Sequence, residues 1–458
     1  MAEHPWRVRD PVHGFIHYDG VEERLINSRV VQRLRGISQL AFTSYVYPGA
    51  RHSRFEHSLG VMHVASRIAQ QVRLSDEERR LVRMAGLLHD LGHGPFSHVS
   101  DVPLRILTTE AGTLPKGLPA SKTHEQVTVD LIRNDGELAS ILDKPKRAAV
   151  ASILDTRESV GQPLLRQIVS GALDADKLDY LLRDGLMAGV RYGAIDLERV
   201  IDCFTTIGKD EKHLAIRRDG IEAAEQVVIA RYQMTRQVYT HRVRRITNAM
   251  LQRAILAAAR DGGKVGKAVR RLYTYRQGDG DWLNLYVRSD DSSLLAQLSE
   301  FAEASQVGKL VGRLRRRQLL KEVYKNRLTD LPGAGAAARD KLVKDVARQE
   351  RLEARLAERF QADADLVIVD IRSQDSPLYR PPDVPLEEDL RVVDDKGRDE
   401  RLGDMPESLS RSVKVEPAAC LFVYAPVDEP DREKRQKLYD RLEKKCDHLI
   451  KSWSKEAN

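Results

Sequence analysis

The sequence contains few cysteines and no long apolar run. Only three of its 458 residues are cysteines, Cys203, Cys420 and Cys446, and no two of them are close in sequence. This excludes a disulfide framework and a cysteine-based zinc knuckle, and it fits a reducing compartment. The longest apolar run, residues 418–427, is shorter than the roughly 18 residues that a membrane helix needs. Because the first ten residues also lack the apolar segment of a signal peptide, we expect a cytoplasmic protein without a membrane segment.

The chain is long enough for two or three domains, and its charge is unevenly distributed. Apolar residues make up 41% and charged residues 31%, a balance typical of soluble globular proteins. The net charge is +7, and residues 241–330 alone contain 19 basic and 9 acidic side chains. Such an excess is compatible with a polyanionic partner, nucleic acid included, and equally with a mixed solvated surface.

Helical periodicity dominates residues 55–330. Ser75 and Glu78 form a capping-box pattern, and the helix that follows should end near residues 92–95, where two glycines and a proline occur. Further helical patterns cover residues 125–133, 164–186, 223–258 and 294–323. The sequence therefore predicts a mainly α-helical fold for this part of the chain.

The pattern changes after Leu331. A charged helix is expected over residues 339–360 and another over residues 432–451, with β-like runs at 366–371 and 420–424. Residues 381–412, which are acidic and contain prolines, predict a long loop. We therefore predict two domains, a helical core over residues 1–330 and a small α/β C-terminal lobe over residues 331–458.

Histidine is concentrated in one part of the chain. Seven of the 13 histidines lie close together in sequence, namely His52, His57, His63, His89, His93, His98 and His124. A single histidine is more often structural than a ligand, but core histidines have no reason to cluster, so the group favours a functional site. His89 and Asp90 lie at the end of an apolar helix, where both side chains can turn towards one ion. Imidazole with carboxylate suits iron, manganese, zinc or magnesium rather than a soft metal.

A zinc-protease motif is the competing interpretation of residues 89–93. That motif, H-E-x-x-H, needs both histidines inside one helix and a glutamate as the base. Here Asp90 replaces the glutamate, and Gly92 and Pro95 interrupt the helix. We therefore favour a metal site of another kind.

The order His57, His89-Asp90 and a later aspartate resembles the H…HD…D signature of HD-domain phosphohydrolases. Five longer strings are similar to the branch of that family that contains the SAM-and-HD-domain dNTP triphosphohydrolases and bacterial relatives. They are Asp10-Pro-Val-His-Gly, Gln32-Arg-Leu-Arg-Gly-Ile, Arg54-Phe-Glu-His-Ser-Leu-Gly-Val, Leu88-His-Asp-Leu-Gly-His-Gly-Pro-Phe-Ser-His and Asp174-Ala-Asp-Lys-Leu-Asp-Tyr. The resemblance covers roughly residues 8–330 and begins almost at Met1, without a counterpart of the SAM domain.

The resemblance implies an HD-domain helical core that hydrolyses a dNTP to deoxynucleoside and triphosphate. The implied ligands of one divalent metal are His57, His89, Asp90 and Asp176, and an additional Mg²⁺ with the triphosphate is a further candidate cofactor. The implied catalytic group consists of His93, His98, Asp101 and His124. In this group His98 is the general acid for the leaving 5′ oxygen, and the other three orient it.

The resemblance also implies the substrate-binding residues, which are Gln39, Leu40, Arg54, Lys177, Tyr180, Asp184, Arg231, Tyr239, His241 and Arg242. Arg54, Lys177, Arg231 and Arg242 are assigned to phosphates, Tyr180 and Asp184 to the 3′-hydroxyl, and Gln39, Leu40, Tyr239 and His241 to the sugar. Helical spacing independently places residues 176, 177, 180 and 184 on one face. By the same geometry Arg231, Tyr239 and Arg242 fall within about 80° of one another on the next long helix, which could equally be a surface helix with scattered basic residues.

A regulatory nucleotide site and an oligomer are further implications. The regulatory region contains Asn27, Gln32 and Arg35, and Asn27 occupies a place where guanine-activated relatives have an acid, so guanine-specific activation is not expected. The family suggests a homo-oligomer, a tetramer or a dimer. A phosphohydrolase of ribonucleotides or nucleic acid ends, and a nucleotide-sensing or nucleic-acid-binding protein with a vestigial site, remain alternatives. No catalytic role is assigned to Arg313, Arg315, Arg316 and Arg317.

Overall fold

The computed structural model describes residues 6–115, 123–157, 163–209, 212–331, 346–373, 390–405, 408 and 419–455. Its contacts divide the chain into two compact units. The first unit comprises Met1–Tyr239, Arg270–Leu294 and Leu378–Lys414, and the second comprises Thr240–Val269, Leu295–Pro377 and Val415–Asn458. The predicted division into residues 1–330 and 331–458 concerns domains that fold separately, and it stays a prediction.

Helices make up most of the described chain. In chain order they are α1 (Gly20–Asn27), α2 (Arg29–Gln32), α3 (Arg54–Gln71), α4 (Asp76–Leu88), α5 (His98–Glu110), α6 (Thr123–Asn134), α7 (Gly136–Ile141), α8 (Lys144–Leu154), α9 (Pro163–Ser170), α10 (Ala175–Ala188), α11 (Leu197–Asp202), α12 (Ile221–Met234), α13 (Arg242–Arg260), α14 (Lys264–Leu272), α15 (Gly280–Val287), α16 (Asp291–Ser299), α17 (Gln306–Arg315), α18 (Val346–Phe360) and α19 (Arg432–Lys455). A short π-helical segment, Thr235–Tyr239, follows α12.

Three small sheets accompany the helices. Their strands are β1 (Trp6–Asp10), β2 (Gly14–Tyr18), β3 (Phe204–Ile207), β4 (His213–Arg217), β5 (Lys321–Arg327), β6 (Ile368–Ser373), β7 (Arg391–Val393), β8 (Asp399–Arg401) and β9 (Ala419–Ala425). The sheet orders are β1-β2, β3-β4-β7-β8 and β5-β9-β6. All pairs are antiparallel except β4 with β7. A mainly α-helical fold with a small α/β part is therefore confirmed.

Helix α3 lies in the core of the first unit, where it packs against both α4 and α10. Its buried side chains include Leu59, Met62 and Ile68, and capping boxes begin both α3 and α4, at Ser53 and Ser75 respectively. The capping box predicted for α4 is thus present. Because the three helices share this core, side chains near the start of α3, the end of α4 and the start of α10 lie close together.

A buried ion pair connects α1 to α4. The Glu22 carboxylate accepts from the Arg83 Nε at 2.5 Å and from its Nη2 at 2.7 Å, and both side chains are buried. Arg83 Nη2 also donates to the carbonyl of His17 in β2 at 2.8 Å. The pair therefore attaches the N-terminal segment to the helical core.

Three of the long helical patterns are divided into shorter elements in the structure, and the prediction of one long helix over residues 223–258 was wrong. Asp174 caps the start of α10 by accepting from the Lys177 backbone, which separates α9 from α10. The segment 223–258 divides into α12, the π-helical segment and α13. After α17, Arg317 adopts a positive φ of 55° that ends the helix, and the chain continues into β5.

The second unit has its own hydrophobic core. Strands β5, β6 and β9 pack with α18 and α19 around buried Leu352, Leu421, Val423 and Trp453. The strands predicted near residues 366–371 and 420–424 and the final helix are present. Residues 339–345 of the predicted charged helix lie outside the described residues. No helix of the described chain is long and apolar enough to cross a membrane.

The predicted loop over residues 381–412 is only partly described. Of this range, residues 390–405 and 408 are described, and they belong to the first unit. Residues 390–405 contain β7 and β8, which pair through Val392 and Glu400. The loop prediction was therefore wrong for these residues, because a turn at Gly397, with a φ of +76°, allows the chain to form a hairpin.

We predict that Gly60→Ala destabilises the protein. A Cβ at Gly60 in α3 would lie 1.8 Å from Asp179 Oδ1 and 2.4 Å from Arg183 Nη2, both on α10. Such overpacking costs about 1–3 kcal/mol or more. Gly136→Ala in α7 is the matched control, because nothing lies within 4 Å of its added Cβ. Chemical denaturation should show a lower free energy of unfolding for Gly60→Ala only, and equal stabilities would contradict the close packing.

Candidate metal centre and catalytic group

The metal-ligand set implied by the sequence comes together in the first unit. His57 lies in the first turn of α3, His89 and Asp90 follow α4, and Asp176 lies in the first turn of α10. His57 Nε2 is 3.0 Å from Asp176 Oδ1 and 3.6 Å from Asp90 Oδ2. His89 Nε2 is 3.3 Å from Asp90 Oδ1 and 3.8 Å from Asp176 Oδ1. One ligand atom each from His57, His89 and Asp90 lies within 4.8 Å of the others.

The hydrogen bonds of the two histidines fit a divalent cation. His89 Nδ1 donates to the Gly86 carbonyl at 2.7 Å, and its buried Nε2 has no hydrogen-bond partner among the described residues. His57 Nδ1 donates to Asp179 at 2.7 Å, so its Nε2 is the atom that faces Asp90 and Asp176. Two ring nitrogens and two carboxylates that converge in this way form the mixed N/O site that iron, manganese, zinc and magnesium accept.

Opposite charges keep this set ionised despite its burial. Burial raises the pKa of Asp90, but Arg54 and His89 outweigh it and lower that pKa to about 2. Arg54 Nη1 contacts Asp90 Oδ2 at 2.5 Å. Burial lowers the pKa of His57, but hydrogen bonds to Asp176 and Asp179 outweigh it and raise that pKa to about 10. These neighbouring charges therefore offset the cost of burying the Asp90 carboxylate and the His57 imidazole.

The implied catalytic group also comes together. His98 begins α5, and its Nδ1 contacts Asp101 Oδ2 at 2.9 Å. His93 Nδ1 and His124 Nδ1 lie 3.8 and 3.6 Å from Asp101 Oδ1, and their rings stack at 4.5 Å. The His98 side chain is 59% exposed, whereas His93 is buried. An exposed imidazole beside a carboxylate is suited to proton donation.

A strained turn connects the two groups. Phe96 and Ser97 both have positive φ, and Ser97 at φ 54° and ψ −127° lies in a region normally occupied by glycine. Asp291 accepts from the Phe96 backbone at 2.5 Å. The Ser97 hydroxyl donates to the Ser38 carbonyl at 2.6 Å and accepts from Arg54 Nε at 2.7 Å. Sequence reasoning assigned no role to Ser97 or Asp291, although the turn orients both Arg54 and the start of α5.

Asp184 is the centre of a second cluster. His52 Nε2 donates to its Oδ1 and the Tyr239 hydroxyl to its Oδ2, both at 2.7 Å. The rings of Tyr180 and Tyr239 lie 6.1 Å apart. Burial raises the pKa of Tyr180, and the nearby Arg231 opposes this shift. The structure thus brings Tyr180, Asp184 and Tyr239 together and adds His52, for which the sequence suggested no partner.

Three other predicted substrate residues lie at the edges of these clusters. Lys177 Nζ donates to Asp174 at 2.5 Å and to the Gly171 carbonyl at 2.8 Å. Gln39 and Leu40 are buried, and the Gln39 backbone donates to the His52 carbonyl at 3.0 Å. Gln39 Oε1 is buried and has no hydrogen-bond partner in the part of the chain that the structure describes. Gln39 is therefore hydrogen-bonded to His52, the residue that donates to Asp184.

The prediction that one helix carries Arg231, Tyr239 and Arg242 was wrong. Arg231 lies on α12, Tyr239 ends the π-helical segment, and Arg242 begins α13. The wider π turn changes the angular spacing of the residues along the helix. His241 then begins a new helix as the cap of α13, since its Nδ1 accepts from the Val243 backbone at 3.2 Å. His241 and Arg242 belong to the second unit, whereas Arg231 and Tyr239 belong to the first.

The remaining predicted residues lie on the surface. Asn27 ends α1 and is exposed. Gln32 donates to the Ile26 carbonyl at 2.8 Å and accepts from Arg35 Nε at 2.9 Å, while the Arg35 guanidinium covers the Phe55 ring at 3.6 Å.

The arginine cluster near the end of α17 is largely paired within the second unit. Arg313 contacts Asp428 at 2.5 Å, and Arg315 donates to Ser299 at 3.3 Å. Arg316 donates to Gln318 at 3.2 Å. These contacts give part of the local positive charge a structural role.

Comparison with known proteins identifies the family. Residues 54–184 match the HD domain, and residues 195–397 match the HD associated region. The protein YwfO of Bacillus subtilis is 33% identical over 69% of this chain and 72% of its own length. The chain belongs to the HD-domain family. The family resemblance is thereby confirmed, and HD-domain proteins are metal-dependent phosphohydrolases.

Two further relatives match a smaller part of this chain. The uncharacterized protein MJ1154 of Methanocaldococcus jannaschii is 36% identical over 54% of this chain and 49% of its own. The deoxynucleoside triphosphate triphosphohydrolase SAMHD1 of Bos taurus is 30% identical over 58% of this chain and 50% of its own. The chain thus spans about half the length of these two relatives.

Two solved structures share the fold. A phosphohydrolase from Bacteroides thetaiotaomicron aligns with a TM-score of 0.70 and 22% identity, over 92% of this chain and 99% of that one. A hypothetical protein from Aquifex aeolicus aligns with a TM-score of 0.67 and 24% identity, over 96% and 100%. At these identities the likeness describes the fold alone.

We predict that metal affinity depends on pH through His57. Because its pKa is raised to about 10, the ring is protonated in the metal-free protein at neutral pH, and a cation must displace that proton. Mn²⁺ affinity should therefore rise roughly tenfold per pH unit between pH 7 and pH 8, where an ordinary histidine of pKa about 6.5 would give a nearly constant affinity. Calorimetric titration at several pH values measures this, and a constant affinity would contradict it.

Proposed function

We propose that the protein hydrolyses deoxynucleoside triphosphates to deoxynucleoside and inorganic triphosphate. The observation that carries the proposal is the short distance between the metal-ligand set and the catalytic group, since His93 Nε2 lies 3.4 Å from Asp90 Oδ1. A cation held by the first group and an acid in the second would thus be close enough to act on one phosphate group. The named relative SAMHD1, a deoxynucleoside triphosphate triphosphohydrolase, supports this choice of substrate.

In this proposal His57, His89, Asp90 and Asp176 hold one divalent cation. When bound there, the cation would polarise the α-phosphate and lower the pKa of the attacking water. Arg54 is held by Asp90 and Ser97, so its guanidinium is fixed where it would stabilise charge on the α-phosphate. The identity of the metal, and a further Mg²⁺ with the triphosphate, stay predictions.

His98 acts as the general acid in this proposal. Its Nδ1 is bound to Asp101, which leaves Nε2 free to give a proton to the 5′ oxygen as the bond to phosphorus breaks. His93 and His124 flank the same carboxylate, and burial lowers the pKa of His93 well below its usual value, so that His93 stays neutral.

The cluster around Asp184 would bind the deoxyribose. Tyr180 and Asp184 would hold the 3′-hydroxyl, and the ring of Tyr239, fixed by its hydrogen bond to Asp184, would exclude a 2′-hydroxyl together with Leu40. Gln39 has a buried acceptor available for the sugar. Lys177 and Arg231 would contact phosphates. The roles of His241 and Arg242, the regulatory site at Asn27, Gln32 and Arg35, and a homo-oligomer stay predictions.

We predict that the metal-loaded protein releases triphosphate from at least one dNTP, alone or in mixtures. His57→Ala and Asp176→Ala should abolish both metal binding and turnover, whereas His98→Ala should keep the metal and lose roughly 10²–10⁴-fold in rate, because it removes only the general acid. Chromatography of the products and metal analysis of each variant measure these effects. Release of pyrophosphate or phosphate instead, or turnover that survives the loss of His57, would contradict the assignment.

We predict that dATP is preferred to ATP because Tyr239 and Leu40 exclude the 2′-hydroxyl. Leu40→Ala should reduce the ratio of kcat/KM values for dATP and ATP by about tenfold or more, within the range that pocket shape can supply. Tyr239→Phe, which keeps the ring but removes the hydrogen bond to Asp184, is the matched control and should keep most of the selectivity. Equal use of dATP and ATP by the unmodified protein would favour a ribonucleotide phosphohydrolase.

A further inference from the structure

The turn between β1 and β2 has no role in the reaction proposed above, although its string Asp10-Pro-Val-His-Gly is one of those that resemble the family. Asp10 Oδ1 accepts from the backbones of Val12 and His13, both at 2.9 Å. Gly14 completes the turn with a φ of +74°. The turn directs the His13 side chain inward, where it is 2% exposed. A histidine side chain that is buried in this way needs a hydrogen-bond partner inside the core.

That partner is Asp179, a fully buried carboxylate on α10 with four donors around it. His13 Nε2 donates to it at 2.6 Å and His57 Nδ1 at 2.7 Å. Arg183 donates through Nε at 2.9 Å and Nη2 at 2.8 Å. Arg183 Nη1 also donates to Asp10 Oδ2 at 2.8 Å, which closes a ring of contacts back to the turn.

This ring determines which nitrogen of His57 can bind a cation. An ionised carboxylate only accepts hydrogen bonds, so His57 Nδ1 must carry the proton that it shares with Asp179. The lone pair available to a cation is then on Nε2, the atom that faces Asp90 and Asp176. Carboxylates that orient a metal-binding histidine in this way strengthen metal affinity by about 10- to 100-fold.

The packing of α3 against α10 is adapted to this contact. Gly60 lies one turn beyond His57 on α3, and any side chain there would collide with the Asp179 carboxylate and the Arg183 guanidinium. The absence of a side chain at Gly60 lets α10 approach closely enough for Asp179 to reach His57 Nδ1.

We propose that Asp179 is a positioning residue of the metal centre, and that Arg183 and the Asp10–His13 turn hold it in place. The proposal rests on the proposed role of His57 as a metal ligand. The N-terminal hairpin then has a function, which is to hold Asp179 in place, although Asp179 itself does not touch the substrate.

The test compares Asp179→Asn with Glu22→Gln. Each variant neutralises a buried carboxylate that is paired with arginine, but the Glu22–Arg83 pair has no contact with the metal-ligand set. Calorimetric Mn²⁺ titration of the folded variants should give a Kd about 10- to 100-fold higher for Asp179→Asn and an unchanged Kd for Glu22→Gln. High Mn²⁺ should restore full metal occupancy to Asp179→Asn.

Two further variants keep the outcomes distinct. If Asp179→Asn does not fold, His13→Gln removes one support of Asp179 without placing an uncharged group beside Arg183, and its Kd should rise by a smaller factor. An unchanged Mn²⁺ affinity in the folded Asp179→Asn variant, with binding lost in His57→Ala, would overturn the positioning role alone. Retained binding in His57→Ala would instead overturn the metal assignment on which the proposal rests.

Discussion

The close contact between α3 and α10 determines where the functional groups of the first unit lie. His57 is on one of these helices and Asp176 on the other, and α4, which ends immediately before His89, also packs against α3. The contact is close because Gly60 presents no side chain to the Asp179–Arg183 pair. Since interiors are packed at crystal-like density, a shift of α10 would move Asp176 away from His57 and His89 together. The packing of α3 against α10 therefore also determines the geometry of the proposed metal ligands.

Electrostatics divides the histidines into two kinds. His57 lies between two carboxylates that raise its pKa, whereas His93 is buried near Arg54 and other imidazoles, which keep its pKa low. The residue types are identical, so only the neighbours distinguish a group that holds positive charge from one that stays neutral. Asp90 belongs to both environments, since its Oδ2 lies 3.6 Å from His57 Nε2 and its Oδ1 lies 3.4 Å from His93 Nε2.

The sequence predicted the fold class and the capping box that begins α4, and the family resemblance implied the groups that converge, but neither indicated the residues that support these groups. Periodicity and the His89-Asp90 pair are local signals, so they were readable without a structure. The contacts of Asp179 with His13 and of Ser97 with Arg54 join residues far apart in the chain, and spacing alone carries no information about them. The continuous helix assumed for Arg231, Tyr239 and Arg242 was wrong because a π turn leaves no clear signal in hydrophobic periodicity.

Asp179 carried one signal that could have been used, since it lies three residues after Asp176 and so faces nearly the same side of α10. A buried acidic residue close to a ligand acid, in a helical segment with many charged residues, indicates a partner side chain that binds it.

Ser97 shows how two demands at one position restrict what evolution can place there. Its backbone occupies a region in which glycine is comfortable, yet its hydroxyl bridges Arg54 and the Ser38 carbonyl. Glycine would relax the backbone and lose the bridge, whereas threonine would keep a hydroxyl and add a branched Cβ to a backbone that disfavours it. No common residue satisfies both demands better than serine. The turn before α5 therefore tolerates few substitutions at this position, although Ser97 is neither a proposed metal ligand nor the proposed general acid.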